Sequence, residues 1–229
     1  KARAPEKLAA MRDKIGYPEK WRDYAALTVD RADYYGNVLR ASEFESRRRI
    51  AQIGMPIDRG EWEMTPPTVN AYYNASMNDM NFPAGVLLPP LFDPKMDDAP
   101  NYGNTGGTIG HELTHGFDDE GRQFDAAGNL KDWWTKEDSA QFVARAQCVA
   151  DQYAQYRIVD DLKINSKLTL GEDVADLGGH RLSDARPAVL GAVEPVDAAV
   201  VLLVQPVRVG RAKPYAMRIV EADVGGIEA

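Results

Sequence analysis

The stretch His111-Glu112-Leu113-Thr114-His115 uses two of the three histidines in a chain of 229 residues, and its reading decides the rest. On a helix, positions i and i+4 share a face roughly 5–6 Å apart, so His111 and His115 can bind one metal ion. Glu112 projects one residue round, where its carboxylate reaches a water on that ion but is poorly placed to be a ligand. Two imidazoles on the metal and a glutamate as general base is the arrangement of zinc peptidases. The bland reading is a surface helix carrying two satisfied histidines.

Catalytic zinc takes three protein ligands and leaves the fourth position to water. A third histidine six residues after the second would complete the metzincin pattern, but that position is Gly121. A downstream glutamate is the alternative. Glu172, in G-E-D-V-A-D (171–176), follows Gly171 at the start of an expected helix, with Asp176 one turn further on the same face. Glu120 lies in a loop close to the motif, and Glu137 in a first helical turn where the dipole alone favours an acid. Glu172 is the best candidate and the other two are runners-up; spacing does not decide among them.

Outward from the motif, the first third reads as helical. Lys7–Ile15 is a short amphipathic run ended by Gly16. Asp30 is the expected cap of a longer helix reaching about Ile53, with Tyr34, Val38, Leu39, Phe44, Ile50 and Ile53 at helical spacing. Thr68–Asn74 and Met80–Phe82 read as two strands about a polar turn. Tyr102–Asp118 is the expected motif helix, entered through glycines. Thr135, with Asp138 three residues on, caps a helix to about Tyr156, and Thr169 caps another through Leu182. The fold class expected is α+β, a thermolysin-like zinc metallopeptidase core, mostly helical with a small sheet or hairpin.

Composition excludes several functions. Hydrophobic residues make up 44% and charged residues 27%, with a formal net charge of −8, so neither nucleic acid nor an anionic membrane surface is an expected partner. The single Cys148 excludes an internal disulfide and a thiolate zinc cluster, and reads as a small buried hydrophobe. No signal peptide or membrane span is read; the longest apolar stretch, Ala198–Val204, is too short to cross a bilayer. A chain opening on Lys1 reads as a fragment.

Several linked stretches carry a resemblance: V-N-A-Y-Y-N (69–74), F-P-A-G-V-L-L-P-P-L-F (82–92), N-Y-G-N-T-G-G-T-I-G-H-E-L-T-H-G-F-D-D (101–119) and G-E-D-V-A-D-L-G-G (171–179). With L-R-A-S-E-F-E (39–45), D-W-W (132–134) and Q-C (147–148), they make residues 1–179 similar to the catalytic domain of the neprilysin family. That family includes endothelin-converting enzyme and bacterial oligopeptidase O.

The resemblance implies one Zn2+ held by His111, His115 and Glu172, with Glu112 as base. It implies that Asp118 and Asp176 hold the ligating imidazoles. Asn70 and Ala71 match the family's pair that hydrogen-bonds the substrate backbone. Val86, Leu91, Gly107 and Thr108 fall where the family lines the pocket for the residue after the scissile bond. Gly107 and Thr108 replace bulkier apolar residues there, which implies a roomier or more polar pocket. The function implied is a zinc endopeptidase acting on oligopeptides before hydrophobic residues, through zinc-bound water and a glutamate base.

The end of the sequence departs from the family. Arg186-Pro187 interrupts the ligand helix, and 187–229 alternates valine-rich runs with Pro, Gly and Arg. A reading-frame shift near codon 180 is the favoured explanation, a divergent or fused end the other. The expected organisation is therefore a partial catalytic domain over 1–179 and a divergent tail over 180–229, out of frame or poorly ordered. The family's downstream oxyanion-stabilising His and Arg and its capping domain have no match here. The alternative reading is thus a zinc- and peptide-binding remnant with little or no turnover.

Overall fold

The computed structural model describes residues 3–183; the expectations for 184–229 lie outside the described residues. The described residues divide into two compact units, one holding the chain up to Tyr17 and from Met64 to Ser183, the other Pro18–Glu63.

The first unit opens with α1 (Ala4–Ala9), then β1 (Arg12–Gly16). The expected helical run over Lys7–Ile15 is therefore broken. Arg12–Gly16 extends and pairs in parallel with β3 (Asp79–Pro83), Arg12 opposite Asp79 and Ile15 opposite Phe82. These residues have little intrinsic strand preference; pairing with a distant strand overrides it.

The expected hairpin is present. β2 (Tyr72–Asn74) runs antiparallel to β3, so β3 is central and β2 lies at an edge. Side chains alternate across β3. Met80 and Phe82 pack with Ala71 and Val86, while Leu91, Ile109 and Leu113 close over them. On the other face Asp79 is fully buried and neutralised by Lys14 at 2.8 Å and Arg12 at 3.2 Å. A buried carboxylate without such partners would cost several kcal/mol, on the order of 3–5.

After a short α3 (Asp98–Asn101), a π-helical turn over Tyr102–Gly106 leads into α4 (Gly107–His115). The expected single helix is thus a wide turn and nine regular residues, with Phe117 and Asp118 beyond its end. α5 (Lys136–Tyr153) starts where expected, the Thr135 hydroxyl accepting from the Asp138 N–H. Cys148, on α5, is exposed rather than buried: Phe142, Ala146 and Ala150 form the buried stripe, and position 148 falls outside it.

A two-stranded ribbon, β4 (Arg157–Val159) and β5 (Leu162–Lys163), precedes α6 (Leu170–Ser183). α6 packs along α4 at main-chain distance: a Cβ on Gly110 would stand 2.9 Å from the Cα of Gly179. Only glycine permits this approach.

In the second unit, α2 (Tyr34–Ala51) is capped by Asp33, whose carboxylate accepts from the Gly36 N–H. Asp30 instead turns onto the Ala32 N–H at 2.9 Å. Arg22 and Arg48 bracket Glu45 at 3.4 and 2.7 Å. The Arg48 guanidinium holds the Glu45 carboxyl down to about 2. The helix buries none of its residues fully, and Tyr34, Val38, Leu39, Ile50 and Ile53 are exposed. Among the described residues, no helix is long and apolar enough to cross a membrane.

Candidate metal centre

α4 sets the two histidines one turn apart, and the Nε2 atoms of His111 and His115 lie 2.9 Å from each other. α6 brings Glu172 alongside, its Oε2 at 3.3 Å from His111 Nε2 and 3.8 Å from His115 Nε2. Ligand atoms of the three residues all lie within 4.8 Å of one another. Glu120 and Glu137 are not in this group.

The far ring nitrogens are already engaged. His111 Nδ1 meets Asp176 Oδ1 at 2.9 Å, and His115 Nδ1 meets Asp118 Oδ2 at 2.7 Å. Each carboxylate fixes the tautomer that leaves Nε2 free to ligate, and makes that nitrogen more basic. Two imidazoles and one carboxylate, oriented in this way, fit the donor set of a catalytic zinc.

The two carboxylates are held differently. Asp118 is buried just past the end of α4, and its second oxygen accepts from the Glu120 and Gly121 N–H groups at 2.9 and 2.6 Å. Asp176 is exposed on α6. Burial alone would lower the His115 pKa, but hydrogen bonding and charge from Asp118 outweigh it and leave the pKa raised.

Glu112 is buried one residue round from His111. Burial pushes its carboxyl up; the neighbouring His115 and His111 and a backbone hydrogen bond from Tyr73 oppose this only in part. Asn70 stands exposed just ahead of the edge strand β2, whereas the side chain of Ala71 is in the apolar cluster. Val86 and Leu91 share that cluster. Gly107 and Thr108 form the first turn of α4, with open space where a Gly107 side chain would stand.

Trp133 and Trp134 anchor a loop, as adjacent indoles near a helix start commonly do, donating to the Phe124 and Arg122 carbonyls at 2.9 and 3.0 Å. Three supports of the site carry little or no sequence signal. The Ser166 hydroxyl donates to the buried Asp173 carboxylate, with Thr169 adding a second bond at 3.1 Å, and so fixes the start of α6 beside Glu172. Asn78 ties α1 to the 124–128 turn through the Lys7 and Ala126 carbonyls, both at 3.1 Å. Lys7 itself is buried. A serine ahead of a helix with an aspartate in its first turn was the only legible signal among these.

A donor set of this kind on two crossing helices, with a buried glutamate beside it, is that of the metallopeptidase class. The chain belongs to peptidase family M13, whose family model matches residues 70–184. It is 43% identical over 185 residues to the endothelin-converting enzyme homologue of Locusta migratoria, covering 77% of this chain and 25% of that protein. Homo sapiens neprilysin is 36% identical over 189 residues, covering 78% of this chain and 25% of that protein. A crystal structure of a Mycobacterium tuberculosis zinc metalloprotease in complex with an inhibitor matches with a TM-score of 0.76 at 42% identity, covering 88% of this chain and 33% of the other. The chain spans about a quarter of the length of the curated relatives it matches. Within that span it carries an α+β, thermolysin-like core.

Proposed function

We propose that this chain is part of the catalytic domain of a zinc endopeptidase, with His111, His115 and Glu172 as ligands and Glu112 as general base. The observation that carries the reading is the convergence of three ligand atoms within 4.8 Å, with a carboxylate on the far nitrogen of each ring.

When bound there, zinc supplies Lewis acidity, lowering the pKa of a coordinated water and polarising a carbonyl. The chain's own groups do the rest. Glu112 takes the proton of the attacking water and returns it to the departing amine; its burial, which makes the carboxylate a better proton acceptor, suits the task. Asn70 and the backbone at Ala71, beside the β2 edge, hydrogen-bond an extended oligopeptide as an added strand would. Val86, Leu91, Gly107 and Thr108 receive the side chain after the scissile bond, so cleavage falls on the amino side of hydrophobic residues.

The test is hydrolysis of a quenched fluorescent peptide with leucine or phenylalanine after the scissile bond, with bound zinc counted. Glu112→Gln is expected to keep zinc and lower turnover by roughly 10²–10⁴. Equal cleavage by the variant would remove Glu112 from the mechanism.

A further inference from the structure

Lys7 is 1% exposed, on a short N-terminal helix more than a hundred residues from the metal motif in sequence. Its Nζ donates to the carbonyl oxygens of Gly121 at 2.6 Å and Phe124 at 2.8 Å. The rings of Phe117, Tyr73 and Trp133 surround it at 5.6, 5.8 and 6.0 Å. Burial pushes the ammonium down to about 8, against the pull of the Asp118 and Asp125 charges. Packing alone does not require this charge, since a methionine fills similar space without the desolvation cost.

What the ammonium holds is the turn that follows the metal helix. Gly121 is held on both of its peptide groups: Lys7 donates to its carbonyl, and its N–H, in the preceding peptide, donates to Asp118 Oδ1 at 2.6 Å. The other Asp118 oxygen is on His115 Nδ1 at 2.7 Å. The carbonyl that Lys7 holds shares its peptide with the Arg122 N–H, which donates to the Asp118 main-chain carbonyl at 3.1 Å, so the cation strengthens that donor and pins the turn to Asp118 at its main chain as well as its carboxylate.

We propose that Lys7 is a positioning residue for the metal ligand His115, acting through the turn at Gly121 and the carboxylate of Asp118. Without the ammonium, the turn loses the group that fixes its carbonyls, and Asp118 loses the fixed N–H that aims it at the imidazole. The inference rests on the zinc reading above, and the experiment separates the two.

The measurements are the zinc dissociation constant, by competition with a chromophoric chelator, and the visible absorption of the Co2+-loaded protein. They are made on wild type, Lys7→Met and Lys7→Arg. Lys7→Met is expected to weaken zinc by roughly tenfold, the low end of what outer partners of a ligand contribute, and to alter the Co2+ spectrum. Lys7→Arg, which keeps a cationic donor, is expected to restore most of both. A purely structural role would lower stability but leave the Co2+ spectrum of folded protein unchanged.

Wild-type affinity and spectrum in Lys7→Met would overturn this proposal and leave the zinc reading standing. A wild-type protein that takes up no zinc would overturn both. Where Lys7→Met does not fold, the wild type carries the test by NMR of 15N-labelled lysine. The Lys7 ammonium signal is expected to move between metal-free and zinc-loaded protein, and an unmoved signal overturns the proposal.

Discussion

A side-chain carbon on Gly179 would stand 2.5 Å from the carbonyl oxygen of Gly107, so the helix bearing Glu172 lies against the main chain of the helix bearing both histidines. Gly179→Ala is therefore expected to push α6 off α4 and carry Glu172 away from the histidines. Overpacking of this kind costs about 1–3 kcal/mol. Urea unfolding and zinc competition check the two effects together. Lost stability with unchanged zinc affinity would make the contact structural only.

The two carboxylates behind the histidines are expected to differ. The Asp118 side chain is 6% exposed, and that of Asp176 is 65% exposed. Water can replace the Asp176 bond more easily than the Asp118 bond, which sits in a buried network. Partners of this kind contribute roughly 10–100-fold to metal affinity. Asp118→Asn is expected near the upper end and Asp176→Asn near the lower, by zinc competition. The reverse order would show that burial does not set their importance.

Lys7 makes folding stability depend on pH with a definite sign. Its ammonium is held down to about 8, against 10.5 as the ordinary value. Between these values the unfolded chain binds more protons, so stability from this group rises with pH, by at most about 1.4 kcal/mol per unit. Below pH 8 the penalty is fully present. Tyr73 acts oppositely above pH 10, because burial and the Asp118 charge hold its phenol up. The clean readout is therefore the difference between metal-free wild type and Lys7→Met from pH 8 to 10. Wild type is expected to gain on the variant across that window, and a flat difference would contradict the buried ammonium.

Asp173 is expected to matter through the start of α6. Asp173→Ala removes the acceptor of the buried Ser166 hydroxyl and of Thr169. A buried donor left unpaired costs about 1–3 kcal/mol. Thermal unfolding measures that loss, and Asp173→Ala together with Ser166→Ala is expected to recover part of it. No recovery would mean that the pair is not the source of the cost.

The parts of the molecule written locally were legible. His111 and His115 are one turn apart on one helix, and Thr135 with Asp138 marks a helix start by itself. Spacing made Glu172 the best of three candidate glutamates but did not settle it, because its place beside the histidines depends on two helices crossing through Gly110 and Gly179. β1 was hidden because Arg12–Gly16 is extended by pairing with β3, not by its own composition. Cys148 was misplaced because residue type suggests burial, whereas its position, two residues from both Ala146 and Ala150, puts it nearly opposite the buried stripe. Lys7 was unreadable for a plainer reason: a lysine in an amphipathic run looks solvated until distant carbonyls and rings enclose it.

In the proposed site, α4 and α6 hold one zinc ion between them. Anomalous diffraction at the zinc edge, on crystals of the zinc-loaded protein, addresses it directly. One strong peak is expected, at roughly 2.0–2.2 Å from His111 Nε2, His115 Nε2 and a Glu172 carboxylate oxygen. No peak there, or a peak whose third protein ligand is another residue, would contradict this site.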